Sequence, residues 1–177
     1  MFRNILFVLL LFLTGLNFAQ GEETYVQGKI IQGPYRTTIV NDGELSFLET
    51  GDAEFPISLV LDVMKVDGAR IRTLVDKYDV AGSDPKVESL FFYPVHGRKN
   101  ALVLVSWELS SRGIGTYGTL YQVYAYEKNS TNQLVINKLI MFDKNLSGID
   151  GYQEGKEQSF VYKDAASIKG YLKKYNN

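Results

Sequence analysis

Val87–Glu127 has the sequence VESLFFYPVHGRKNALVLVSWELSSRGIGTYGTLYQVYAYE, the densest apolar stretch that follows the N-terminal segment. Three strand-like runs follow one another in it: Val87–Val95, Ala101–Leu109 and Thr119–Glu127. The polar turn His96–Asn100 separates the first two runs, and the loop Ser110–Gly118 separates the second from the third. Apolar runs that alternate with polar turns are typical of consecutive antiparallel strands, so this stretch predicts an antiparallel meander.

The middle run is the best candidate for the centre of the core. Alternate residues of a strand point to opposite faces, and here both faces are apolar. One face carries Ala101, Val103, Val105, Trp107 and Leu109. The other face carries Leu102 and Leu104 before it becomes polar at Ser106 and Glu108. We therefore expect the middle of this strand to be covered on both sides, with a wetter end.

The composition argues against several classes of function. The 177 residues include 19 Lys and Arg against 20 Asp and Glu, and the isoelectric point is near 5.9. Such a balance provides no basic field for nucleic acid, and Lys169, Lys173 and Lys174 are interpreted as a solvated helix face. The chain has one histidine, His96, which we interpret as a turn residue, and no cysteine. Zinc sites and thiol catalysis are therefore not expected. Hydrolysis by two carboxylates, as in glycosidases, stays open.

Residues 1–20 have the pattern of a secretory signal peptide. Arg3 precedes the apolar run Ile5–Leu13, and cleavage is expected after Ala19 or Gln20. The run is shorter than the ~20 residues that a membrane-spanning helix needs. We therefore expect one exported domain over 21–177, periplasmic or secreted and not an integral membrane protein, with a retained N-terminal anchor as the alternative. Without cysteine, no disulfide stabilises this domain.

Further strand patterns flank the meander. They are Thr24–Ile31, Arg36–Val40, Glu44–Leu48, Ile57–Val66, Ala69–Val80 and Gln133–Phe142. Turns are predicted at Gln32–Tyr35 and at Asp67-Gly68, which has the strongest hairpin signal. Ala69–Tyr78 also matches a helical spacing, but the hairpin signal before it favours a strand. Asp143–Ser159 is expected to be a long loop.

A C-terminal helix completes the expected fold. Asp164 is placed to cap Ala165–Tyr175, in which apolar and aromatic residues recur at helical spacing. The predicted fold is mainly β, at the margin of α+β. It is an antiparallel meander or sandwich with this one helix packed on it.

Three glycines lie close together after the middle strand, at Gly113, Gly115 and Gly118. They form a G-x-G-x-x-G string, but a β-type run follows instead of a helix, so the string does not predict a nucleotide site. Charged, hydroxyl and aromatic side chains among such glycines favour an exposed recognition loop, with a flexible hairpin connection as the alternative. The candidate partner-binding residues are Ser111, Arg112, Gly113, Gly115, Thr116 and Tyr117.

The same region resembles part of a known family. An apolar strand at Val103–Ser106 leads to a Ser/Gly-rich loop that ends in tyrosine, Ser111–Tyr117, and this is similar to the periplasmic lysozyme inhibitors of the invertebrate-type class. Those are exported β-sandwich proteins that insert a Ser-Gly-Tyr-containing loop into the enzyme's glycan cleft. By this resemblance, the inserting residues are Ser111, Arg112 and Tyr117. The longer loop, interrupted by Arg112 and Ile114, and the C-terminal helix depart from the family pattern.

Asp143–Glu154 fits the spacing of a calcium-binding loop, with oxygen ligands at positions 1, 3 and 5, Gly at position 6 and Glu at position 12. The candidate ligands are Asp143, Asn145, Ser147 and Glu154. The context is unusual because a strand pattern precedes the loop and Asp150 occupies an ordinarily apolar position. Two interpretations stay open: a calcium ion that orders the loop, or an ordinary Asn/Gly turn. No other cofactor is expected.

Together these observations predict an exported, non-enzymatic binding protein. Its expected partner is an envelope or secreted protein: a cell-wall hydrolase that it inhibits, or a toxin that it neutralises as an immunity protein. The alternative is a glycan-binding module or a carboxylate-dependent glycan hydrolase. That alternative would use the tyrosine-rich face Gln122, Tyr124 and Tyr126 as a stacking platform.

Overall fold

The computed structural model describes residues 26–176, so the predicted signal peptide lies outside the described residues. Two antiparallel sheets make up most of this part of the chain, which confirms the mainly β prediction. No helix within residues 26–176 has the length and apolar character needed to cross a membrane.

The first sheet has four strands in sequential order. They are β1 Lys29–Thr37, β2 Gly43–Glu49, β3 Ile57–Met64 and β4 Arg70–Tyr78. The strand assignment for β4 and the turn at Asp67-Gly68 are confirmed. The turn predicted at Gln32–Tyr35 is wrong, because β1 runs through it as one strand with two register shifts against β2. A cis peptide between Gly33 and Pro34 lies within this irregular part.

The second sheet has six strands in the order β10-β9-β7-β6-β5, with β8 also paired to β7. Its strands are β5 Lys86–Val95, β6 Arg98–Ser111, β7 Thr116–Lys128, β8 Leu134–Ile136, β9 Ser147–Gln153 and β10 Lys156–Gln158. The central meander is therefore confirmed. Its turns are shorter than predicted, since β6 already begins at Arg98 and the first turn is His96-Gly97.

Two predictions for the segment after the meander are wrong. The strand expected over Gln133–Phe142 ends at Ile136, and the short helix α1, Lys138–Met141, follows. Asn137 ends the strand because its side-chain oxygen accepts hydrogen bonds from the first backbone amides of α1, as a helix cap does. The loop expected over Asp143–Ser159 contains the β9–β10 hairpin instead.

The core has two layers, and β6 belongs to both. Its inward face, at Ala101, Val103, Val105 and Trp107, packs between the two sheets. Its outward face, at Leu102 and Leu104, packs under the C-terminal helix α2, Ala165–Leu172. The predicted cap is confirmed, since the Asp164 side chain accepts a hydrogen bond from the backbone amide of Ser167. The prediction that β6 is solvated at Ser106 and Glu108 is only partly correct. Ser106 is buried, and its hydroxyl donates to a Glu88 carboxylate oxygen over 2.7 Å.

Replacing Leu104 by alanine tests the two-sided core. The side chain is fully buried, so the change should lower the free energy of unfolding by about 2–5 kcal/mol. Urea denaturation measures it. Leu139→Ala, at a position that is 43% exposed, is the control and should cost less than about 1 kcal/mol. Equal losses in the two variants would contradict this packing.

Candidate functional site

The connection between β6 and β7 is a tight hairpin and not the nine-residue loop that was predicted. The two strands remain paired as far as Ser111 and Thr116. A single turn of 3₁₀ helix, Arg112–Ile114, and then Gly115 complete the connection. Gly115 has a φ of 69°, a left-handed conformation that glycine adopts without strain. We call Ser111–Tyr117 the hairpin tip.

The hairpin tip brings all six predicted partner-binding residues together. Ser111, Arg112 and Gly113 are exposed, whereas Gly115, Thr116 and Tyr117 are half-buried. The most prominent apolar side chain is one that the sequence analysis did not select: Ile114, which is 70% exposed. Isoleucine within a turn gives no sequence signal that separates exposure from burial, so only the fold identifies it.

An aromatic stack orients Arg112. Its guanidinium carbon lies 5.1 Å from the centre of the Tyr117 ring. The Tyr117 ring stacks in turn on Tyr152 of β9, with centroids 4.8 Å apart and planes 21° from parallel. None of the ion pairs among residues 26–176 includes Arg112, although every other arginine in that range is paired with a carboxylate. The stack therefore holds a guanidinium whose donors are available to a partner.

A second hairpin supports the first. The turn between β9 and β10 is Glu154-Gly155, and both residues have positive φ, as a two-residue type I′ turn requires. The Gly155 amide donates to the Gly115 carbonyl over 3.0 Å, and the Glu154 amide donates to the Thr116 hydroxyl over 3.1 Å. These bonds fix the hairpin tip from the side. This turn lies within the long loop expected over Asp143–Ser159, and Gly155 is the sequence feature that is compatible with it.

The four predicted calcium ligands do not converge in this structure. Asp143 and Asn145 remain close, since the Asn145 side-chain amide donates to an Asp143 carboxylate oxygen over 2.9 Å. Ser147 is the first residue of β9 and Glu154 follows its last, so six extended residues of β9 lie between them. Within residues 26–176, no group of three or more His, Cys, Asp or Glu side chains has the arrangement of a metal site.

Asp143 instead fastens the C-terminal helix to the sheet. One carboxylate oxygen accepts hydrogen bonds from the Tyr171 hydroxyl at 2.7 Å and the Tyr175 hydroxyl at 2.6 Å, and Lys174 lies 3.2 Å from it. Burial raises the pKa of this carboxyl, but the tyrosine hydroxyls and Asn145 outweigh that effect. The pKa therefore lies well below its usual range.

The prediction that the tyrosine-rich face is open for stacking on glycans is wrong, because this face lies in the core. Tyr124 is 8% exposed and Tyr126 is fully buried. The Tyr126 hydroxyl donates to Asp76 over 2.7 Å and lies 2.9 Å from the hydroxyl of Tyr78. Burial raises the pKa of Tyr126 and Tyr78 well above the usual value, so both phenols stay protonated. These groups join the two sheets.

His96 is a turn residue, as predicted, with a φ of 49°. Its backbone amide donates to the Tyr175 carbonyl over 3.2 Å, and its ring meets the Tyr175 ring edge to face. The side chain thus packs against the C-terminal segment.

Comparison with protein-family models, curated proteins and solved structures finds no match for this chain. The resemblance to lysozyme inhibitors therefore rests on Val103–Ser106 and the hairpin tip alone.

Gly115→Ala tests how the two hairpins are held together. The added Cβ would lie 2.7 Å from the Gly155 backbone nitrogen, at a strained φ, so the two turns should separate. Faster hydrogen exchange of the Gly155 amide is the expected result, measured by NMR. Gly113→Ala is the control, because its Cβ meets nothing within 4 Å. Unchanged exchange in Gly115→Ala would show that the contact does not order the tip.

Asp143→Asn tests the helix attachment and its pH dependence. A carboxyl whose pKa is lowered on folding stabilises the fold above its unfolded pKa, near 3.8, and loses that contribution as the pH falls below this value. Wild type should therefore lose stability between pH 5 and pH 3 more steeply than the variant, which should already be roughly 1–3 kcal/mol less stable at pH 7. Urea denaturation at both pH values measures this. Asp84→Asn, at an exposed carboxylate, should behave like wild type.

Proposed function

We propose that this is an exported, non-enzymatic binding protein that recognises a protein acting on the cell envelope, and that the hairpin tip is its recognition element. The observation that carries the proposal is the 70% exposure of Ile114 at the end of a tightly paired hairpin. A large apolar side chain held in water on a rigid turn gains free energy when a partner pocket covers it.

Rigidity supports this role as much as exposure. The hydrogen bonds from Glu154 and Gly155 hold the tip before any partner arrives. A pre-ordered recognition element loses less conformational entropy on binding than a flexible loop. Arg112 adds directional donors beside the apolar anchor, and arginine is enriched in the energetic centres of protein interfaces. The combination favours a protein partner with an apolar pocket and an acceptor at its rim.

Inhibition or neutralisation is the proposed outcome of binding. The resemblance of Ser111–Tyr117 to invertebrate-type lysozyme inhibitors supports a cell-wall hydrolase as the partner, and an envelope-acting toxin is the other candidate. Arg112, Gly113 and Ile114 form the exposed turn itself, whereas Tyr117 is half-buried and stacks on Tyr152. We therefore assign direct contact to the first three residues and a supporting role to Tyr117.

The glycan-binding alternative has weaker support. Sugar stacking needs an open aromatic ring face. Tyr124 and Tyr126 are buried, and the Tyr117 ring stacks with Tyr152 and lies against Arg112. The tyrosines that would serve this alternative therefore already have ring partners or lie in the core.

Ile114→Ser tests the proposed function. The mature chain, immobilised as wild type and variant, is exposed to envelope and secreted fractions, and the retained proteins are identified by mass spectrometry. In parallel, peptidoglycan hydrolysis by an invertebrate-type lysozyme is measured with each form. Loss of the anchor should weaken capture or inhibition at least about tenfold.

Val66→Ser is the matched control, because Val66 is also a fully exposed apolar residue of a hairpin turn, between β3 and β4. It should behave like wild type. If Ile114→Ser and Val66→Ser retain the same proteins and inhibit equally, the hairpin tip is not the recognition element.

A further inference from the structure

A small cavity lies at the opposite end of β6 from the hairpin tip. Its volume is about 290 Å³. The connection between β1 and β2 provides one side, with Thr38 and Ile39, and the second sheet provides the other, with Arg98, Lys99 and Lys128. Residues from both sheets thus enclose it, and Ile39, which is 5% exposed, belongs to the core beneath.

Three cations and no carboxylate line this cavity. The β6–β7 ladder ends at the Asn100–Glu127 pair, and Lys99 and Lys128, the next residues of the two strands, both line the cavity. Like charges at such neighbouring cross-strand positions destabilise a sheet. Neither lysine belongs to an ion pair among residues 26–176. Both ammonium groups therefore lack a carboxylate partner in this part of the chain, where Glu127 pairs with Arg98.

Hydrogen bonds hold two of the three cations, Lys99 and Arg98, in place. The Lys99 ammonium donates to the Thr38 hydroxyl over 3.0 Å. The Arg98 guanidinium donates to the Lys128 carbonyl over 3.1 Å and to Glu127 over 3.3 Å. Each cation keeps further N–H groups that these bonds do not use, since an ammonium has three and a guanidinium has five.

We propose that this cavity binds a phosphate-type oxyanion through Arg98, Lys99 and Lys128. An anion among the three cations would remove the lysine repulsion and accept charge-assisted hydrogen bonds. The cavity, at about 290 Å³, has room for a phosphate group. The group is either free phosphate or the phosphate of an anionic lipid headgroup. The site is separate from the hairpin tip and does not depend on its function.

Titration of the mature chain with inorganic phosphate, followed by NMR of the backbone amides, tests the site. Saturable shifts at Thr38 and Lys99 are expected in wild type. In Lys99→Gln/Lys128→Gln the affinity should fall at least about tenfold, because two of the three charges are lost. Lys156→Gln, on β10 at the other end of the molecule, should bind like wild type.

Co-sedimentation with phosphatidylglycerol vesicles, compared with phosphatidylcholine vesicles, distinguishes free phosphate from a lipid headgroup as the ligand. Binding of free phosphate that the double variant loses supports the site with a soluble ligand. Binding only to the anionic vesicles, again lost in the double variant, supports the headgroup. Without phosphate, the double variant should unfold at the same temperature as wild type or higher, because like-charge repulsion is removed. No binding in either arm, or equal binding by wild type and the double variant, overturns the proposal.

Discussion

Burial of β6 on both faces is the constraint on which the fold depends. Val103 and Val105 need the four-stranded sheet on one side, and Leu102 and Leu104 need α2 on the other. If either layer detached, one of these faces would be exposed to water, at about 25 cal/mol for each Å² of apolar surface. The two layers are therefore expected to form together. The chain has no cysteine and hence no disulfide, so the burial of this strand is what holds the layers together.

Polar side chains decide how the layers lie against this strand. Tyr126 extends from β7 across the sandwich to Asp76, which fixes the first sheet over the second. Asp143 accepts hydrogen bonds from the hydroxyls of Tyr171 and Tyr175 and so fixes the end of α2. Apolar contacts tolerate small displacements of one layer against another, whereas these hydrogen bonds have defined lengths and directions. They supply the geometric specificity that the apolar core lacks.

The two proposed sites lie at the two ends of the same strand. At one end, β6 leads into Arg112 and Ile114, where a neighbouring hairpin stiffens the turn. At the other end, it begins with Arg98 and Lys99 beside a lysine of β7. The strand fixes the backbone at both ends, while the Tyr117 ring contacts Arg112 and the Thr38 hydroxyl accepts a hydrogen bond from Lys99. The separation also allows each site to be altered without the other.

Alternation and turn signals in the sequence determined the mainly β class, the meander, both faces of β6 and the capped C-terminal helix, because these are local patterns. They also located the residues of the hairpin tip as a group. Pairing between distant segments decided the rest. β9 forms because β7 offers it a partner edge, which places a strand within the long loop expected over Asp143–Ser159. Packing of the two sheets buries Tyr124, and pairing of β6 with β7 leaves Ile114 exposed in the turn and Lys99 near Lys128. Burial and neighbourhood belong to the assembled sheets and not to any local stretch of sequence.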